Sequence, residues 1–135
     1  MANIGAHGSK QMLDWVLGGA AATQPASRLA ALTYGTPSST HGLVQGTEHS
    51  SNLGYVRQTA LFSAAASPAG SASNTAAMTF GPFSSSNAIN GLIITDTISI
   101  FSGNIWWYGT LLTARTVLPG DTLVVNAGAL LITLS

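Results

Sequence analysis

Short apolar runs, each broken by a turn former, fill the second half of the chain from Ile89 to Leu134. They are rich in β-branched and aromatic residues and bounded by Gly, Pro, Asn or Asp, the pattern of strands joined by tight turns. No run reaches ten residues without a breaker, so helix is a poor alternative there. Ser102-Gly103-Asn104 predicts a hairpin between Ile98–Phe101 and Ile105–Leu111. Pro119-Gly120 suits a type II turn, and Ala127-Gly128 does the same before the last strand. In that strand Leu130, Ile132 and Leu134 share the face expected to enter the core.

The first half is less regular. Residues 1–8 have no apolar period and predict an extended N-terminal arm, with Ile4 as its anchoring side chain. Ser9–Leu17 is the helical candidate, with Ser9 as N-cap, one apolar face (Met12, Leu13, Val16, Leu17) and a Gly18-Gly19 stop. So short a helix must dock on something. Arg28–Tyr34 reads as a strand, and residues 35–54 as a long loop of the kind that contacts a partner. Tyr55–Phe62 alternates, predicting a strand with Tyr55, Arg57 and Thr59 on a polar outward face. Ala76–Phe80 is a further strand, ended by Gly81-Pro82. The expectation is an all-β protein: an antiparallel β-sandwich, a jelly roll being one form it could take, with one short N-terminal helix. The arm (1–8) precedes a single sandwich domain (9–135).

Composition changes the picture in one respect. Four basic and four acidic residues make 6% of the chain and a net charge of zero, against about 25% charged residues in ordinary domains. Near-zero net charge favours association, so the chain reads as one that works assembled with neighbours. Four scattered cations make no stripe for phosphate, so no nucleic-acid partner is expected. No apolar run approaches a membrane span, and the N-terminus lacks the basic region and apolar core of a signal peptide. A chain made in a cytoplasm, with no membrane partner, is expected. Cysteine is absent, which removes disulfides and thiolate metal sites.

Candidate chemistry is sparse. His7, His41, His49, Asp14, Glu48, Asp96 and Asp121 show no metal-ligand spacing, and no nucleophile elbow or phosphate loop is present. No catalytic residue, metal site or cofactor is expected. Glu48, His41 and His49 read as solvated groups of the 35–54 loop, and the two histidines join the candidate interface because of where that loop stands. Asp121 follows a turn, where its carboxylate would accept backbone N–H groups. In a 105–111 strand Trp107 shares a face with Ile105 and Leu111, and Trp106 shares the other with Tyr108. Trp107 would then fill the sandwich. Trp106 and Tyr108 would be covered by the helix or form an interface, where Trp and Tyr are favoured anchors. The candidate interface is therefore Ile4, Trp106, Trp107, Tyr108, His41 and His49.

The segments Ser102-Gly103-Asn104, Tyr108-Gly109-Thr110-Leu111, Thr113-Ala114-Arg115-Thr116-Val117, Gly120-Asp121-Thr122-Leu123 and Ala127-Gly128-Ala129-Leu130 resemble small structural proteins of tailed bacteriophages. Such proteins are labelled tail-fibre-like, and relatives act as capsid cement or decoration proteins. Leu13–Gly19, Leu29–Thr33 and Gly54-Tyr55-Val56-Arg57 match the opening helix, first strand and Gly-Tyr-Ala-Arg segment of that family more loosely. The double Trp and the low charge depart from it. The resemblance implies no catalytic residues and a place in the virion. The expected function is capsid cement, bound across the seams between coat subunits, with the major capsid protein as partner and a homo-oligomer, a trimer favoured. A tail or fibre-tip component contacting the host, and a small carbohydrate-binding module, are the alternatives.

So little charge has a measurable consequence. Attachment through charge weakens as salt screens it, within about 3 Å at 1 M, whereas apolar contact is unaffected or strengthened. Capsids are expected to keep the protein from low salt to about 1 M sodium chloride. Trp106→Ala should reduce occupancy more than Arg57→Ala or Arg115→Ala. Release at high salt would show that charge holds the contact.

Overall fold

The computed structural model describes residues 2–21, 23–38, 48–49, 54–66 and 70–133. It is an antiparallel β-sandwich with one N-terminal helix, as the strand pattern predicts. Its main sheet has the order β1 (Ala2–Ile4), β7 (Ile105–Val117), β6 (Asn87–Thr95), β2 (Leu29–Thr33), β3 (Gln58–Thr59). Two smaller ladders, β4 (Ser71–Ser73) with β9 (Leu131–Thr133) and β5 (Met78–Phe80) with β8 (Leu123–Val125), pack against it.

The core follows from β2 and β6. All five residues of β2 are buried, as are Gly91 to Thr95 of β6, so both strands lie inside. They pair from Leu29↔Thr95 to Thr33↔Gly91. At Gly91 a Cβ would lie 2.7 Å from the Gly109 carbonyl oxygen and 2.8 Å from the Thr33 hydroxyl, so only glycine lets the three strands close. Tyr55, Phe80, Phe83, Ile89, Ile93 and Ile132 fill the space between the layers. Ile132 is buried while Leu131 is exposed, which is the facing expected of the last strand. The turns also agree: Asp121 N–H donates to the Leu118 carbonyl at 3.0 Å with Gly120 at φ +89°. The Asp121 carboxylate accepts from Leu118 N–H at 2.9 Å.

Several expectations need correction, four of them in the placement of elements and side chains along the strands. The helix α1 spans Ala6–Leu17 and starts three residues before Ser9, with Gly5 at the N-cap and no side-chain cap. Tertiary contact sets that start, because Gly5 N–H donates to the Trp106 carbonyl at 2.8 Å. Residues 2–4, read as part of an extended arm, are extended and pair within the chain with β7 in the register Ala2↔Gly109, Asn3↔Tyr108, Ile4↔Trp107. Ile98–Phe101 is loop, not strand, with Ile98 72% exposed. The hairpin partner of β7 is instead β6, and β7 runs on to Val117.

The fourth correction explains the third. Tyr55 and Arg57 do not face outward; they are buried, and Val56 is exposed. Glu48, read as a solvated loop group, is also buried and lies in a fork-shaped ion pair with Arg57. Arg57 Nε and Nη2 donate to the two Glu48 carboxylate oxygens, each at 2.7 Å, and both side chains are fully inaccessible. The same guanidinium donates to the carbonyls of Thr97 and Ser102, and Glu48 accepts from Phe101 N–H at 2.8 Å. The Phe101 N–H, which a 98–101 strand would offer a neighbour, and the flanking Thr97 and Ser102 carbonyls are thus held by side chains.

His49, also read as solvated, is buried, with its Nε2–H donating to the Ala88 carbonyl at 3.0 Å and its ring edge-on to Tyr34. Burial is the largest influence on it and holds the imidazole below its usual range. His41 lies outside the described residues.

Removing one partner of a buried ion pair leaves the other charge uncompensated, at a cost of about 3–5 kcal/mol. Arg57→Ala should therefore lower unfolding free energy by about that amount in chemical denaturation. A loss below about 1 kcal/mol would be the behaviour of an exposed pair. Arg57 is consequently no control for surface charge; the exposed Arg115 is.

Candidate assembly surfaces

Four of the expected interface residues, Ile4, Trp106, Trp107 and Tyr108, come together on adjacent strands, β1 and β7. All four are half-buried. His49 is not with them, since it sits beside Ala88 at the far end of β6.

Trp106 is held from two sides. The His7 ring meets it edge-on at 4.9 Å between centroids. Its indole N–H donates to the Asp96 carboxylate at 3.3 Å. A Cβ at Gly8 would lie 2.6 Å from the Trp106 carbonyl oxygen, so the first turn of α1 rests on β7 through a residue with no side chain. The first turn of α1 thus lies against Trp106, which stays half-exposed, while Tyr108 packs on the core.

Asp96 organises the 96–104 loop. Its carboxylate accepts from Asn104 N–H at 2.9 Å and from the Asn104 side-chain amide at 2.8 Å, besides the indole. Burial alone would raise its pKa, but these hydrogen bonds outweigh it and hold the carboxyl below the usual range. Gly103, at φ +92°, turns back against this group, where a Cβ would strike Thr97 at 2.3 Å.

Trp107, Tyr108 and Leu111 pack on the core and line one wall of an open cleft of about 540 Å³. Leu130 and Ile132 line the other, and no lining residue is charged. A second recess of about 360 Å³ lies between Trp106, Trp107, Phe62, Gln24 and Arg28.

Among the described residues, several large apolar side chains of α1 are exposed where the sequence predicts a docked face. Leu13, Trp15, Val16 and Leu17 of α1 are 58%, 74%, 67% and 75% exposed, and Gly8 is the helix's buried residue. The periodic stripe was visible in the sequence, but it predicts a docked face. Here the helix docks by its first turn and presents its last one outward. Leu112 on β7 is also fully exposed.

Among the described residues no three His, Asp or Glu side chains converge as metal ligands, and no helix is long and apolar enough to cross a membrane. What the surface offers is apolar contact.

The sign of the Asp96 shift fixes a pH effect. Its folded pKa lies below the unfolded value, so its stabilisation is present above the unfolded value and is lost as pH falls through the folded one. The carboxyl carbon of Asp96 should titrate by NMR below 3.8. Asp96→Asn should remove that part of the acid sensitivity; a midpoint at or above 3.8 would contradict the hydrogen-bonded geometry.

No curated protein matches the chain. A family described as podophage GP4 fiber I protein gp80 matches residues 3–133, from β1 through β9. The chain belongs to this family of phage virion structural proteins.

Proposed function

We propose that this chain is a structural subunit of a podophage fibre, assembled through apolar contact among its own copies. The family match over residues 3–133 carries the reading, and it favours the fibre over the capsid-cement role that the resemblance suggested. Two features of the molecule support it. The sandwich exposes large apolar side chains at α1 and β7, and its net charge is zero. The reading assigns no reaction to the chain. Its partners are further copies, a trimer being the form expected from the resemblance, and the neighbouring virion proteins.

Gold-labelled antibody on intact virions should decorate fibres. Label spread over the head shell in hundreds of copies would overturn the fibre reading and restore the cement reading with the major capsid protein as partner. Sedimentation of the pure chain reads the oligomer size separately.

A further inference from the structure

We propose that the recess between Trp106, Phe62 and Arg28 is a binding site for an anionic saccharide, a pyranose ring that carries a carboxylate or a phosphate. The inference goes beyond the fibre reading and is tested on the pure chain.

The aromatic wall comes from an irregularity in β7. Thr95 pairs with Ile105 and Ile94 with Trp107, which leaves Trp106 as an extra residue with no partner on β6. Extra residues of this kind bend a strand, re-aim side chains and are frequent beside binding sites. Regular alternation would send residues 106 and 107 to opposite faces. Here both line one recess, with Phe62 and Ile132 beside them. The Trp106 ring is held in place without a ligand: its N–H donates to Asp96 at 3.3 Å, and His7 meets it edge-on at 4.9 Å. It is only half-buried, so part of its surface stays open. A side chain ordered beforehand costs little to order on binding.

Two polar side chains complete the lining, Arg28 and Gln24, both exposed. Among the described residues, neither the guanidinium nor the amide has a hydrogen bond or ion pair within the chain. The backbone that carries Arg28 is nonetheless anchored. Its carbonyl accepts from Ala60 N–H at 2.8 Å, and the neighbouring Ser27 hydroxyl donates to the Asp96 carbonyl at 2.9 Å. No acidic residue lines the recess.

These features select the ligand. A free guanidinium with no carboxylate in the same lining calls for an anion, and its planar fork matches carboxylate or phosphate. The electron-rich faces of the indoles suit the C–H face of a sugar ring. The Gln24 amide can both donate to and accept from ring hydroxyls. A volume of about 360 Å³ is near the lower end of small-molecule pockets, about 300–1,000 Å³, and fits one or two sugar rings. Nucleic acid is disfavoured, because one cation cannot neutralise a run of phosphates. A fatty acid would satisfy Arg28 but leave the amide unused and its tail in water across an open recess.

The experiment follows the indole N–H signals of the full chain by NMR as sugars are added. Trp106→Leu and Trp15→Phe assign the three signals. Glucuronic acid and glucose 6-phosphate are the anionic probes, with glucose and octanoate as controls. At least one anionic sugar should shift Trp106 and Trp107 with a Kd of about 1–10 mM, and the tighter of the two names the anion. Glucose should bind about tenfold more weakly or less. Arg28→Gln, at an exposed position, should keep the folded spectrum and weaken the anionic sugar about tenfold or more. Trp106→Leu should also weaken it, read at Trp107. No shift with either anionic sugar at roughly tens of millimolar, equal binding of glucose, or wild-type affinity in Arg28→Gln overturns the proposal. Octanoate binding tighter than either sugar overturns it as well. None of these outcomes bears on the fibre reading, which labelling of virions decides.

Discussion

The Glu48–Arg57 pair closes an edge of the main sheet that strand pairing leaves open. β3 covers β2 only at Leu29 and Ala30. Beyond it, Leu32 N–H donates to the Tyr55 hydroxyl and the Leu32 carbonyl accepts from His49 N–H, each at 3.0 Å. Tyr55 in turn donates to Glu48, and Glu48 takes the guanidinium fork. Burying each ion costs several kcal/mol even after relaxation. Here both carboxylate oxygens accept two hydrogen bonds, which is the condition under which such a pair is tolerated. Burial, followed by the adjacent carboxylate, raises the Tyr55 phenol and keeps it a donor. One polar cluster therefore ties together β2, the approach to β3 and the loop between β6 and β7.

That cluster also marks where the sequence stops being legible. The strands β2, β5, β6, β7 and β8, the two Gly turns after β7 and the inward face of β9 could be read because they depend on local periodicity and on φ at single residues, whereas β1 and β4, three residues each, and the shortness of β3 left no such signal. The direction of Tyr55 and Arg57 could not. Alternation says that two residues share a face, but not which face is the inside, and an Arg beside a Tyr looks like a solvated edge. Only the partner nine residues away, inside a Gly-rich loop, reverses the choice. Asn74 was hidden for the same reason. Its side chain donates to the carbonyls of Ala76 and Asn126 and accepts from Leu130 N–H, joining the chain after β4 to the turn before β9. Among the candidate interface residues, the β1–β7 cluster was legible from its aromatic run. The end of α1 was misjudged because its stripe fits a docked and an undocked helix equally well.

Most of the few charges are engaged within the chain. Lys10 binds Asp14, Arg57 binds Glu48, Asp96 collects the Asn104 and Trp106 donors, and Asp121 caps its own turn. Every acidic group is thus occupied within the chain. Arg28 and Arg115 are the cations with no ion pair among the described residues. Two separated arginines cannot set the register of one subunit on another through electrostatic complementarity, which is the usual source of specificity. Specificity then has to come from shape, and shape requires a ridge and a recess that fit. The described surface carries exposed apolar side chains at the last turn of α1 and an uncharged cleft beside β7.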